Sequence, residues 1–280
     1  MHILDSTLAT QPRQTLPISH IPFLSGEKKP TSALTQSDHA VNELPWRQPS
    51  PASVFLDEVA LGNESTTSAS HPYRFACAQE LETKARAAEL VSRRYRWRGY
   101  GEECGDALLR PSQPTQMTFI ATRGTELVGT VSARMDGASP MNCEALYPDV
   151  VQEKRRAGQK LVELGQLAID NDQNPLEILG PLFHLTMLFA HHQQGASHAL
   201  IEVNPRHVAF YRRIFGFRII GTERHCDRVN APAVLMQMDL AQAQQAIALK
   251  GGTRQGRSSV FPYCFSIQEQ DSIAHSLLGH

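Results

Sequence analysis

The sequence predicts an α/β fold, with one mixed central sheet and helices on both faces. Three observations predict it. From Tyr73 onward, strand-like and helix-spaced segments interleave in the order β-α-β-β-β-α-β-α-β-β. Strands that stay together with helices between them favour one covered sheet over two domains. Two β-rich runs, Met117 to Thr122 and Leu127 to Met135, flank the turn Arg123-Gly124-Thr125-Glu126 and predict an antiparallel hairpin. Finally, Lys160-Leu-Val-Glu-Leu-Gly-Gln-Leu-Ala-Ile-Asp170 has the apolar character of a buried strand, yet carries a glutamate and a glycine near its middle.

Each element follows in chain order. Residues 1–72 hold eight of the 17 prolines among Ser, Thr and Gln, the composition of a mostly irregular arm. Val54 to Leu61 is its exception, a short helix or strand. Tyr73 to Cys77 is the first strand. Glu80 to Tyr95 is a helix, with Leu81, Ala85, Ala88, Val91 and Tyr95 at helical spacing. The Gly99-Tyr100-Gly101 loop breaks that pattern. After the hairpin and the Lys160 strand, Leu176 to Gln193 predicts a helix that starts at Pro175 or Pro181, since proline suits a first turn. Ala199 to Val203 is a strand and Val208 to Phe215 a helix. Arg218 to Gly221 and Ala233 to Asp239 complete the sheet. A helix from Leu240 to Leu249, a Gly251-Gly252 break and a last helix around Gln268 to Leu278 form the tail. The expected organisation is an arm (1–72), a folded body (73–240) and a helical tail packed on it (241–280).

The Lys160 strand carries the first functional signal. On period-two alternation, Leu161, Glu163, Gly165, Leu167 and Ile169 share a face. An ionised carboxylate among aliphatic neighbours is costly unless it is paired or put to use. Gly165 marks a point where a strand is easily bulged or splayed. A bulge there shifts the alternation and brings Glu163 and Gln166 to one side. The pattern fits a sheet opening beside a base; a surface glutamate on an edge strand would have the same letters.

Composition narrows the classes. A net charge of −1 gives no global field for nucleic acid. No apolar run approaches membrane-spanning length, and Met1-His-Ile-Leu-Asp5 lacks the features of a secretory signal. The five cysteines, 77, 104, 143, 226 and 264, are odd in number and never spaced CxxC, which predicts reduced thiols in a cytoplasm. His184 and His191 share a helix face without a convincing third ligand, so no metal site is expected. No Ser-His-Asp or Cys-His pattern is convincing, which favours direct attack over an acyl-enzyme.

Asn204-Pro-Arg-His-Val-Ala-Phe-Tyr211-Arg-Arg-Ile-Phe-Gly216-Phe217 resembles the second motif of the GNAT acyltransferase superfamily, with Gly-Phe one residue later than usual. With Thr118 to Asp170, it makes residues 73–240 similar to the GNAT fold, in which two neighbouring strands splay to hold an acyl thioester. Arg134-Met-Asp136-Gly137 and the Leu161–Asp170 stretch resemble the core of acyl-homoserine-lactone synthases, but Val162 and Gln166 replace that family's Trp and Arg. Tyr95 with Gly99-Tyr100, and Phe210-Tyr-Arg-Arg with Gly216-Phe217, fit a sister family better, the bacterial N-acyl amino acid synthases.

That resemblance implies transfer of a long fatty acyl chain from acyl carrier protein to an amino acid, tyrosine among the candidates, with no further cofactor. The stretch after the splayed strand, Asp172 to Pro181, agrees: one glycine, the two prolines 175 and 181 and the two acids Asp172 and Glu177 make a poor pyrophosphate cradle for coenzyme A. The expected catalytic residues are Glu163 as base, Arg134 as a carboxylate fork or ion-pair partner, Asp136 as orienter of Arg134 or of the amine, and Tyr211 as proton donor to the departing thiolate. Gly165 amides would stabilise the oxyanion. Gln166, Tyr95, Tyr100, Phe183 and Met187 are expected at the substrates, and Lys154, Arg155, Arg156 and Lys160 as the patch that docks the acidic carrier. The alternatives are a lactone synthase, a coenzyme A-dependent acetyltransferase, and a non-catalytic module that binds acyl groups or their carrier.

Overall fold

The computed structural model describes residues 72–96, 115–170, 174–270 and 273. In chain order its elements are β1 (Arg74–Cys77), α1 (Leu81–Arg96), β2 (Gln116–Arg123), β3 (Glu126–Met135), α2 (Pro148–Arg156), β4 (Leu161–Ile169), α3 (Leu176–Met187), β5 (His198–Val203), α4 (Val208–Ile214), β6 (Arg218–Ile219), β7 (Arg224–Cys226), β8 (Ala231–Asp239) and α5 (Leu240–Lys250). The strands lie in the order β1-β2-β3-β4-β5-β8-β6, and β7 also pairs with β8. β4 and β5 run parallel, while the pairs on either side of them are antiparallel.

Alternation along the strands divides the core between two faces. Val162, Ile201 and Met236 point toward α3 and α5, in a core that includes Leu182, Phe183 and Ile247. Their neighbours Leu161, Leu200 and Leu235 point the other way, against Tyr147, Val151 and Cys143. On that second face α1 packs through Ala87, Leu90 and Val91 onto Ile120, Leu127 and Ala168. The mixed sheet with helices on both faces is as the sequence predicts.

Two elements were not foreseen. α2 buries Val151 alone, so it has almost no apolar periodicity to read. Its ends explain it: Pro148 opens the first turn, Asp149 follows, and Lys154, Arg155 and Arg156 close the last, which complements the helix dipole. β7 has only three residues. The two candidate starts of α3 are also resolved: Pro175 caps it, and Pro181 sits inside, where the lost N–H bond is offset by burial on nearly every side. The expected helix to Gln193 changes pitch at Leu188 into a π-helical turn, Leu188–Gln193. The N-terminal arm lies outside the described residues, as does most of the last helix, of which residues 267–270 are helical.

Candidate active site

The site begins where β4 and β5 part. Their parallel pairing is Leu161 to His198, Val162 to Ala199 and Glu163 to Leu200, and there it stops. Beyond it β4 stays on β3 as far as Ile169, and β5 stays on β8 as far as Val203. A bulge bends β4 at this point: Thr130 opposes Ala168 and Ser132 opposes Gly165, three steps on β4 against two on β3. Gln166 absorbs the extra residue at φ 53°, a left-handed conformation that is uncommon outside glycine. A Cβ built on Gly165 meets nothing within 4 Å. The expected bulge and splay are therefore both present.

A cavity fills the splay, about 560 Å³ including its open mouth. β4 contributes Leu164 to Leu167, and α3 contributes Leu182 and Phe183. Ile201, Glu202 and Val203 come from β5, Tyr211 and Phe215 from α4 and its end, and Tyr95 from α1. Of the residues expected at the substrates, Gly165, Gln166, Tyr95, Phe183 and Tyr211 meet here. Tyr100 lies outside the described residues. Met187 does not line the splay: it faces a separate cleft with His184, His192 and Ile247. Tyr211 stacks on Phe215 with centroids 5.8 Å apart.

Glu163 is 5% exposed, the most buried acid described. Each of its oxygens accepts a main-chain N–H from the turn Asn142–Ala145: Asn142 at 2.7 Å and Cys143 at 2.8 Å. Burial pushes its pKa up, and those two N–H groups oppose the rise. Arg134 is its cross-strand partner in register. The guanidinium, however, donates to Gln116 Oε1 at 3.0 Å and to the Pro140 carbonyl at 3.2 Å. Asp136 does not orient Arg134. Together with Glu144 it grips the guanidinium of Arg155, with Nε to Asp136 at 2.9 Å and Nη1 to Glu144 at 2.7 Å. That fork ties α2 to the end of β3 and occupies Arg155, so Arg155 is no free docking cation. Lys154 reaches Glu153 at 3.0 Å. Lys154, Arg156 and Lys160 all lie just before β4 in the chain, at the end where β4 and β5 are paired, not at the mouth of the splay.

The residue missed was Glu202. Its side chain is 9% exposed and it lines the cavity. Oε1 accepts from Arg228 Nη2 at 2.9 Å and from the Cys226 thiol at 3.4 Å, whereas Oε2 is buried without a hydrogen-bond partner among the described residues. Burial raises its pKa, and Arg228 and Cys226 lower it. The signal was available: Leu200-Ile201-Glu202-Val203 is an acid in a short apolar strand, the same anomaly that singled out Glu163. Among the described residues no group of three or more His, Cys, Asp and Glu is placed to hold a metal. No helix among them is long and apolar enough to cross a membrane.

The sequence profile of the family described as N-acyl amino acid synthase FeeM matches residues 86–239, more than half of the chain. The solved structure of FeeM, an N-acyl amino acid synthase from uncultured soil microbes, is 26% identical; the match covers 63% of this chain and 96% of that one, with a TM-score of 0.56. An N-acetyltransferase from Staphylococcus aureus Mu50 matches at 13% identity over 60% of this chain and 98% of that one, with a TM-score of 0.44. An aminoglycoside 6'-acetyltransferase type Ii matches at 13% identity over 60% and 96%, with a TM-score of 0.42. No curated protein sequence matches the chain. The splayed sheet with its cavity defines a GNAT-fold N-acyltransferase. Within that class, the chain belongs to the N-acyl amino acid synthase FeeM family.

Proposed function

We propose that the protein joins a long-chain fatty acyl group, delivered as the thioester of an acyl carrier protein, to the amine of an amino acid such as tyrosine. The observation that carries this reading is the cavity in the splay, which is lined by aliphatic and aromatic side chains of β4, α3 and α4 and by the polar side chains of Gln166, Thr186 and Glu202. A thioester entering the gap brings its carbonyl to the bulge at Gly165 and Gln166. There, main-chain N–H groups no longer bound to β5 are candidates for holding the oxyanion. Tyr211 is the proposed donor to the departing thiolate, whereas Arg134, whose guanidinium is taken up by Gln116 and the Pro140 carbonyl, does not line the cavity.

The start of α3 supports a carrier-protein donor over coenzyme A. A pyrophosphate needs free N–H groups and positive potential at a helix N-terminus. Pro175 supplies no N–H, and Glu177 places a carboxylate in the first turn, where Asn174 Nδ2 holds it at 2.9 Å. The test is direct: purified protein is offered palmitoyl-carrier protein or palmitoyl-coenzyme A with each of the common amino acids. Mass spectrometry should find an N-acyl amino acid formed faster from the carrier thioester. Preference for coenzyme A would overturn the donor assignment, and acylation only of non-amino-acid amines would overturn the acceptor class.

A further inference from the structure

We infer that Glu202 is the subsite for the acceptor's ammonium group and the base that takes its proton, while Glu163 serves to hold the turn beside it. The inference rests on the amine-acylating reading above but on neither the donor nor the identity of the amino acid.

Two acids share one face of the sheet at the splay, and their hydrogen bonding separates their tasks. Glu163 belongs to the last paired position of β4 and β5. Both of its oxygens are committed to main-chain N–H groups. Glu202 lies two residues past that position on β5, where β4 no longer covers it and the cavity does. One oxygen is held by Arg228 and Cys226; the other, Oε2, is buried and has no donor among the described residues. A buried carboxylate oxygen without a partner bears its full desolvation penalty, so such a group calls for an explanation. An ammonium group supplies what is missing: three N–H donors and a positive charge that restores the balance of a desolvated carboxylate.

The proton inventory is consistent. Glu202 takes one proton from the R–NH3+ group and becomes a neutral acid, leaving R–NH2 with a free lone pair. That pair forms the C–N bond to the thioester carbonyl carbon. The tetrahedral adduct then expels sulfur with the C–S electron pair, and the second nitrogen proton is lost as the thiolate gains one, giving amide and thiol. Glu202 afterwards returns its proton to solvent. The groups that face it set its affinity for that proton. Glu163, Cys143 and Tyr147 lie on the same sheet face; Cys226 on β7 and Arg228 just beyond it hold the other oxygen.

The test uses the isosteric Glu202→Gln variant with a thioester donor and a good amino acid acceptor. The expected loss in kcat at pH 7 is about 10²- to 10⁴-fold, the range of a general base. The loss should shrink as pH rises toward the amine's own pKa, because free amine then reaches the variant from solution at roughly tenfold more per pH unit. A loss of the same size at every pH, or activity within about threefold of wild type, overturns the inference. A second variant guards against a folding defect. Arg228 is half-exposed, and Arg228→Gln removes the cation that lowers Glu202's pKa. The acidic limb of the wild-type pH–rate profile should move up by about 0.5–1 unit; an unmoved limb overturns the assignment. Failure of wild-type protein to form any amide would instead sink the acyl-transfer reading itself.

Discussion

Glu163 and Leu200 are the last residues to face each other across β4 and β5. One register position therefore closes the sheet and opens the site. Up to it, β4 shares its main-chain hydrogen bonds with both neighbours; past it, only with β3. The turn that receives the Glu163 carboxylate, Asn142–Ala145, is fastened at this same position.

That fastening gives the first prediction. Glu163→Gln offers one carbonyl oxygen and one NH2 to two N–H donors, so one contact becomes donor against donor. The variant should lose about 1–3 kcal/mol of stability, and the amides of Asn142 and Cys143 should exchange with solvent faster than those of β4. Unchanged denaturant midpoint and unchanged exchange at both amides would show that the carboxylate does not hold the turn.

Gly165 gives the second. A side chain there has open space before it, and that space belongs to the cavity. Gly165→Leu should therefore leave the melting temperature nearly unchanged while shortening the acyl chains accepted. Burying about four fewer methylene groups at about 0.8 kcal/mol each is enough to reverse a preference for long chains. Competition between octanoyl and palmitoyl thioesters measures it, and an unaltered ratio would place the chain elsewhere.

The sequence carried the sheet, the hairpin and the bulge because each leaves a local mark: alternation, turn residues, and a glycine in an apolar strand. α2 left none, since it is held by its ends and by the Arg155 fork to Asp136 and Glu144 rather than by an apolar face. The site was legible where motif letters and cavity coincide, at Gly165, Gln166, Phe183 and Tyr211. Pairings between distant residues were not: nothing in Arg134-Met-Asp136 tells that Asp136 faces Arg155 or that Arg134 turns to Gln116. Glu202 was passed over because its strand is short and its partners, Cys226 and Arg228, come more than twenty residues later.

The third prediction concerns the carrier. From Asn204 to Thr222 the chain has four arginines, 206, 212, 213 and 218, and no acid. All four are exposed; Arg206, Arg212 and Arg213 lie on α4 or in the turn before it, with the exposed Phe210 between them, and α4 follows β5 at the open end of the splay, whereas Arg218 on β6 pairs with Gln237, level with Leu200. Lys154 and Arg156 lie at the paired end. If the carrier docks at the mouth, Arg212→Glu with Arg213→Glu should lower kcat/KM for the carrier thioester by about tenfold or more at low salt, with the difference fading as salt rises. Lys154→Glu with Arg156→Glu should do little. A small pantetheine thioester, which has no protein surface, should be used equally well by all. The opposite ranking of the two double variants would move docking to the α2 end.

His184 supplies the last prediction, a pH dependence of stability. The ring is 2% exposed, and its Nδ1 accepts the main-chain N–H of Phe265 at 3.1 Å, a bond available only to the neutral ring. Burial, reinforced by nearby His192, lowers its pKa from 6.5 to about 4. The unfolded chain thus binds a proton between about pH 6.5 and 4 that the folded chain refuses, so stability is fully present above 6.5 and declines as pH falls through that window. Over the whole window the loss is about 3 kcal/mol, and between pH 6.5 and 5 about 2 kcal/mol. Glu163 and Glu202, with raised pKa values, contribute with the opposite sign, so the net slope does not isolate the histidine. His184→Asn does, because its side-chain oxygen can accept the Phe265 N–H without titrating. Urea unfolding at pH 7 and pH 5 should show wild type losing about 2 kcal/mol more than the variant. Equal losses would mean that His184 gains its proton without leaving the fold, and that the cleft beside α5 admits water to the ring.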